Sequence, residues 1–140
     1  MSKPLTEALL GGANVIVQGI TGAQGSFHTR AMVAAGTRIV AGTSPTKAGE
    51  SFEGIPVYAT IKDLLKKHSV DTTVIFVPAP YAKAAIFEAI DASIPLIVCI
   101  TEGIPVHDML AVKQRLENSP SVLIGPNSPG IILPGVHKLG

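Results

Sequence analysis

The run Val15-Ile16-Val17-Gln18 passes straight into Gly19-Ile20-Thr21-Gly22-Ala23-Gln24-Gly25, and a helix-like segment, 26–35, follows at once. An apolar, β-branched run closed by a glycine turn and a helix start dictates a strand–turn–helix unit. Glycines at 19, 22 and 25 give G-x-x-G-x-x-G, not the dinucleotide pattern G-x-G-x-x-G. The physics of the two is similar. A tight turn after a strand brings backbone N–H groups and the positive end of a helix to one point, which favours an anion, most often a phosphate. Two readings stand on the glycines alone: a nucleotide-like ligand on the turn, or a plain connection that binds nothing.

The rest of the chain repeats the unit. Buried-type strands are expected at 14–18, 38–42, 73–77, 96–100 and 122–124. Helices are expected at about 24–35, 61–68 and 81–92, and from Pro105 to about 117, with Gly36 as the C′ residue of the first. Val57-Tyr58 reads as a short extended piece before the second helix. Pro78 and Pro80 stop the third strand, and Ala84, Ala85, Ala89 and Ile90 recur at helical spacing in the segment that follows. The lead-in, 1–13, reads as one or two helical turns ended by Gly11-Gly12, and 131–133 as extended. Strand and helix alternate five times over short connections, which implies a parallel sheet with right-handed crossovers. The expected architecture is α/β, a Rossmann-like doubly wound parallel sheet in a single domain.

Composition narrows the partners. At 140 residues, 46% hydrophobic and 15% charged, the chain has the makings of a folded, aliphatic core. A net charge of +1 supplies no field for nucleic acid or an anionic membrane. No apolar run approaches a bilayer span, and the first ten residues lack a signal-peptide pattern. One cysteine fits a reducing compartment, so a cytoplasmic protein is expected, a processed matrix protein being the variant with the same composition. No histidine pair has i, i+4 spacing and Cys99 lies in an apolar strand, so no metal site is expected.

In open α/β sheets ligands bind beyond the carboxyl ends of the strands, where strand order reverses. Those ends carry the most Gly- and Pro-rich stretches here, around 19–25, 43–49, 78–81, 101–105 and 125–130. The second end discriminates. A Rossmann NAD site wants an acidic residue there for the ribose hydroxyls, but Gly42-Thr43-Ser44-Pro45-Thr46-Lys47 offers no carboxylate before Glu50. Hydroxyls and Lys47 suit instead a phosphate on the ribose, as in NADP or coenzyme A (CoA). The bland alternative for Lys47 is a solvated loop cation.

Five stretches taken together, Gly19-Ile20-Thr21-Gly22-Ala23-Gln24-Gly25-Ser26-Phe27-His28, Ser44-Pro45-Thr46-Lys47-Ala48-Gly49, Val77-Pro78-Ala79-Pro80, Ile100-Thr101-Glu102-Gly103-Ile104-Pro105 and Gly125-Pro126-Asn127-Ser128-Pro129-Gly130, resemble in order and spacing the N-terminal, CoA-binding domain of the succinyl-CoA synthetase (succinate–CoA ligase) α subunit. The resemblance runs from about residue 13 to the end of the chain. It implies that Thr21, Gly22, Ala23 and Gln24 form the turn that holds CoA and that Lys47 contacts its phosphate or nucleotide end. It also implies that Ile100, Thr101 and Glu102 line the other side, with Val77 and Pro78 flanking the same groove. It further implies an ATP-grasp β subunit and a second α domain bearing a phosphorylated histidine as partners, that histidine having no counterpart in the chain. The chain alone is then expected to bind CoA without turnover.

The departures are specific. The family's lysine loop usually has glycine on both sides of the lysine, where Thr46 and Ala48 stand; a requirement for positive φ at either would cost on the order of 1 kcal/mol. The last motif has Ser128 where the family usually has cysteine. His28 reads as a cap or packing residue, His68 as a helix C-terminal cation, His107 as exposed and His137 as part of the tail. Glu102 is the one carboxylate of the expected site, a hydrogen-bond acceptor for a ligand amide or amine or a solvated turn residue. Other classes compatible with the motifs are a free-standing CoA-binding regulatory module and an NADP-binding oxidoreductase domain, the latter without an evident hydride-transfer pair.

Overall fold

The computed structural model describes residues 13–125 and the backbone of two short strands, Ile131–Ile132 and Lys138–Leu139. Its main strands are β1 (Val15–Gln18), β2 (Ile39–Thr43), β3 (Ser51–Phe52), β4 (Ile55–Tyr58), β5 (Thr72–Ile75), β6 (Leu96–Cys99) and β7 (Val122–Ile124). The helices are α1 (Ala23–Ala34), α2 (Ile61–Leu65), α3 (Ala79–Asp91) and α4 (Val106–Leu116). The two short strands, β8 (Ile131–Ile132) and β9 (Lys138–Leu139), pair antiparallel with each other.

The strands form one sheet in the order β3-β4-β2-β1-β5-β6-β7, parallel except for β3. Without β3, strand order along the chain reads 3-2-1-4-5-6, the doubly wound arrangement with its reversal between β1 and β5. The expected five strands are present, shifted by a residue or two. Val57-Tyr58, read as a short extended piece, belongs to β4, a sixth parallel strand against β2. β3 was not expected at all. It is joined to β4 by the two-residue turn Glu53-Gly54, both with positive φ (49° and 85°), the geometry a tight hairpin demands.

Burial on both sheet faces explains the continuous apolar runs. Val15 and Val17 point toward Met32 of α1, and Ile16 and Ile75 toward Leu64, Ile86 and Val112 of α2, α3 and α4. Helix ends follow local chemistry. α1 closes with Gly36 at φ 95°, where Gly36 N–H donates to the Val33 carbonyl and Thr37 N–H to that of Met32, a Schellman motif on the expected glycine. α2 is shorter than expected: Lys66 and Lys67 N–H bond three residues back, to Asp63 and Leu64, and tighten the chain out of the helix. Pro78 and Pro80 do more than stop β5. Pro78 is the N-cap of α3 and Pro80 lies in its first turn, where a missing N–H has no helical partner to lose. Ala85, Ala89 and Ile90 of that helix are buried, but Ala84 is exposed. Among the described residues no helix is long and apolar enough to cross a membrane. The lead-in up to residue 12, Ser128 and His137 lie outside the described residues.

Candidate functional site

The glycine turn leaves β1 at the strand-order reversal. Gly19 has φ 86°, and its N–H and that of Ile20 both donate to the Thr43 carbonyl of β2 (3.0 and 3.3 Å). Gly25 packs so closely under the turn that a Cβ there would lie 2.0 Å from the Gly19 carbonyl oxygen. These two glycines fold the turn. Gly22, the N-cap of α1, is different: among the described residues no side chain caps the helix, and its first turn holds no acidic residue. The N–H groups of Ala23, Gln24 and Gly25 occupy the positions for which a helix has no acceptor of its own. Ala23 and Gln24 are exposed and Gly25 is buried under the turn, so the first two donors and the positive helix end face outward over the switch point.

Two grooves meet there. The first, about 440 Å³, lies between the ends of β1 and β2 and the wall of α3; Pro45, Ala59, Phe76, Tyr81 and Ala84 make it mostly apolar, with Gln18 among the lining residues. The second, about 560 Å³, runs from the α1 start (Ala23, Gln24) to the end of β6 (Ile100, Thr101, Glu102). Gly22, Phe76, Val77 and Pro78 line both and form the ridge between them. Side-chain bonds brace the ridge and the turn: Thr101 Oγ1 donates to the Val77 carbonyl (2.7 Å) and Thr21 Oγ1 to Ser44 Oγ (2.9 Å). Volume alone does not select this place. A hollow of about 630 Å³ between α2 and α3 lies away from the glycine turn.

Of the ten residues singled out from the sequence, Gly22, Ala23, Gln24, Val77, Pro78, Ile100, Thr101 and Glu102 line the second groove. Thr21 and Lys47 line neither. Thr21 is turned toward Ser44, and Lys47 is exposed on the loop after β2, its ammonium in no ion pair with a described residue. The feared loop strain is absent. Among the described residues only Glu53 and Ser93 are non-glycine with positive φ, and in the lysine loop that conformation falls on Gly49, not on Thr46 or Ala48.

The other candidates take structural places. His28 stacks on Phe76 with ring centroids 5.0 Å apart and planes 9° from parallel, a packing role. His68 is held by the Tyr58 hydroxyl (3.0 Å), a partner that the helix-end reading missed. Cys99 is fully buried in β6; burial pushes its thiol above the ordinary 9.0, with hydrogen bonds to Thr101 opposing in part. Among the described residues no three His, Cys, Asp or Glu side chains cluster as metal ligands. Sequence reasoning passed over Gln18 and Phe76 and placed Tyr81 only within the strand-end stretch 78–81; all three line the first groove. The signal for Gln18 was present: one amide in an otherwise apolar run, one residue before the turn.

A doubly wound sheet with an uncapped helix start at its switch point defines a nucleotide-type ligand-binding domain. The family model described as CoA binding domain matches residues 12–103, and the chain belongs to that family. Over 126 residues it is 54% identical to the ADP-forming succinate–CoA ligase subunit alpha 2 of Archaeoglobus fulgidus, covering 90% of this chain and 44% of that protein. The ADP-forming α subunit of Aquifex aeolicus is likewise 54% identical over 128 residues, covering 90% and 42%. The chain therefore spans less than half the length of these relatives. Among solved structures, the ATP citrate lyase of Methanothrix soehngenii, in complex with citrate and coenzyme A, superposes with a TM-score of 0.75 at 22% identity, covering 96% of this chain and 24% of that one. At that identity the likeness speaks for the fold.

Proposed function

We propose that residues 1–140 are a single CoA-binding domain, the CoA-carrying part of a succinate–CoA ligase α subunit. The observation that carries the site is the uncapped start of α1 between two grooves at the sheet's switch point. CoA presents a flat base, a diphosphate, a ribose phosphate and a long pantetheine arm, and the residues present fit that set. The diphosphate takes the N–H groups of Ala23 and Gln24 with the Thr21–Gly22 turn, since a helix start stabilises an anion without a side-chain charge. The base takes the apolar groove beside Pro45 and Tyr81, where its faces lose water at little polar cost. Lys47, exposed on a loop and in no ion pair with a described residue, reaches the ribose phosphate as a mobile point charge. The pantetheine arm follows the second groove past Val77 and Pro78 to Ile100, Thr101 and Glu102, with Glu102 accepting from an amide N–H. Bound CoA supplies the thiol on which an acyl group is carried.

In the complete ligase the reaction is succinate, CoA and a nucleoside triphosphate to succinyl-CoA, the diphosphate and phosphate. It needs an ATP-grasp β subunit and a second α domain, and cytoplasmic placement belongs to the same proposal. Hydrogen–deuterium exchange with and without CoA tests the site. Protection is expected at the amides of 21–24, Val77 and 100–102 together. Protection of the glycine turn with none at 100–102 contradicts the path drawn for the arm.

A further inference from the structure

Gln18 is the only buried side-chain amide among the described residues, with 1% of its surface exposed. It ends β1 on the face that carries Ile16, where an aliphatic residue would continue the core. Instead its Nε2 donates to the Ala85 carbonyl of α3 (3.0 Å), and its Oε1 accepts from Thr73 Oγ1 of β5 (2.8 Å). Its backbone carbonyl accepts from Phe76 N–H (3.0 Å), and the next residue is the Gly19 of the turn. One residue thus joins the glycine turn, β5 and α3 beneath the apolar groove.

The bond to Ala85 is not there to rescue an orphan. Within α3 the Ala85 carbonyl is the regular acceptor for Ala89 N–H, so the amide adds a second, directional tie. Apolar packing alone is non-directional and lets a helix settle at several positions along a sheet. A buried hydrogen bond fixes one. α3 carries Tyr81, Ala84 and Glu88, the far wall of the apolar groove. We infer that Gln18 is a positioning residue, which sets α3 at the distance from the glycine turn that the groove's occupant requires. The inference rests on the CoA reading above.

The test separates fold from binding. Gln18→Met strands the buried Thr73 hydroxyl, so it should lower the thermal midpoint as well as the affinity. Adding Thr73→Val removes both polar partners in near-isosteric form, and the midpoint should return to within about 2 °C of the wild type. CoA binding by calorimetry should stay about tenfold weaker in that double variant, the scale of one lost hydrogen bond. Exchange of α3 amides in the free protein should be faster than in the wild type. A double variant that binds CoA as the wild type does overturns the inference and leaves the CoA reading standing. Affinity that merely tracks the thermal midpoint through both variants also overturns it. A wild-type chain that takes up no CoA removes the reading and the inference together.

Discussion

Gly25 and Cys99 illustrate how single positions in this chain are fixed by contact and by burial. A Cβ at residue 25 would lie 2.0 Å from the Gly19 carbonyl oxygen, a backbone atom that cannot swing aside. Gly25→Ala should therefore cost about 3 kcal/mol in chemical denaturation, the upper part of the range for overpacking, and disrupt the turn between β1 and α1. A near-neutral result would mean that the turn is looser than its contacts imply. For Cys99 the direction follows from burial. Its thiol is raised above 9.0 in the folded chain, so above that pH the unfolded chain gives up a proton that the native chain keeps. Stability should be unaffected by this group below about pH 9 and fall as pH rises beyond it. Cys99→Ala should show a shallower decline than the wild type between pH 8 and 10. Both positions could be read from sequence only as a glycine and an apolar-strand cysteine. The atom Gly25 meets lies six residues back and is set by how the turn folds, whereas the burial of Cys99 depends on strands β5 and β7 on either side of β6.

Helix α1 carries the functional argument at the scale of elements. Its N-cap is Gly22, with φ −73° and ψ 168°, extended backbone that any residue adopts, and a Cβ there would meet nothing nearer than 3.5 Å. An aspartate would thus fit and would cap the helix better than glycine. Gly22→Asp should raise stability by about 0.5–1 kcal/mol while weakening CoA binding by about tenfold or more, because its carboxylate takes the same N–H groups and repels the diphosphate. Thermal melts and calorimetry on one preparation check both signs. A variant that binds CoA normally would show that the helix start is not the anion site. The far end of α1 is tied to the β3–β4 hairpin, where Arg30 pairs with Glu53 (2.5 Å) and lies over the Phe52 ring (5.0 Å). That hairpin was not legible. Ser51-Phe52 is too short for a period-two pattern, and its turn uses Glu-Gly where Asn-Gly or Asp-Gly would have announced it.

For the whole molecule, five strands and four helices were legible because strands buried on both faces must be apolar throughout and because glycine and proline mark the ends. Strand order was legible only as a class, since pairing joins segments far apart in sequence. The candidate site was legible as loops at the strand ends, and eight of its ten residues do line one groove. The apolar groove beside it was not, because Gln18 at its floor and Tyr81 on its wall come from a strand and a helix that read as scaffold. The central claim is that these loops form a CoA site selective for the ribose phosphate. Calorimetric titration of the chain with CoA, dephospho-CoA, NADP and NAD tests it most directly, with Lys47→Ala run in parallel. Saturable CoA binding is expected, up to about fivefold weaker for dephospho-CoA or for Lys47→Ala, the two losses not adding when combined. Binding of NADP in place of CoA would contradict the account.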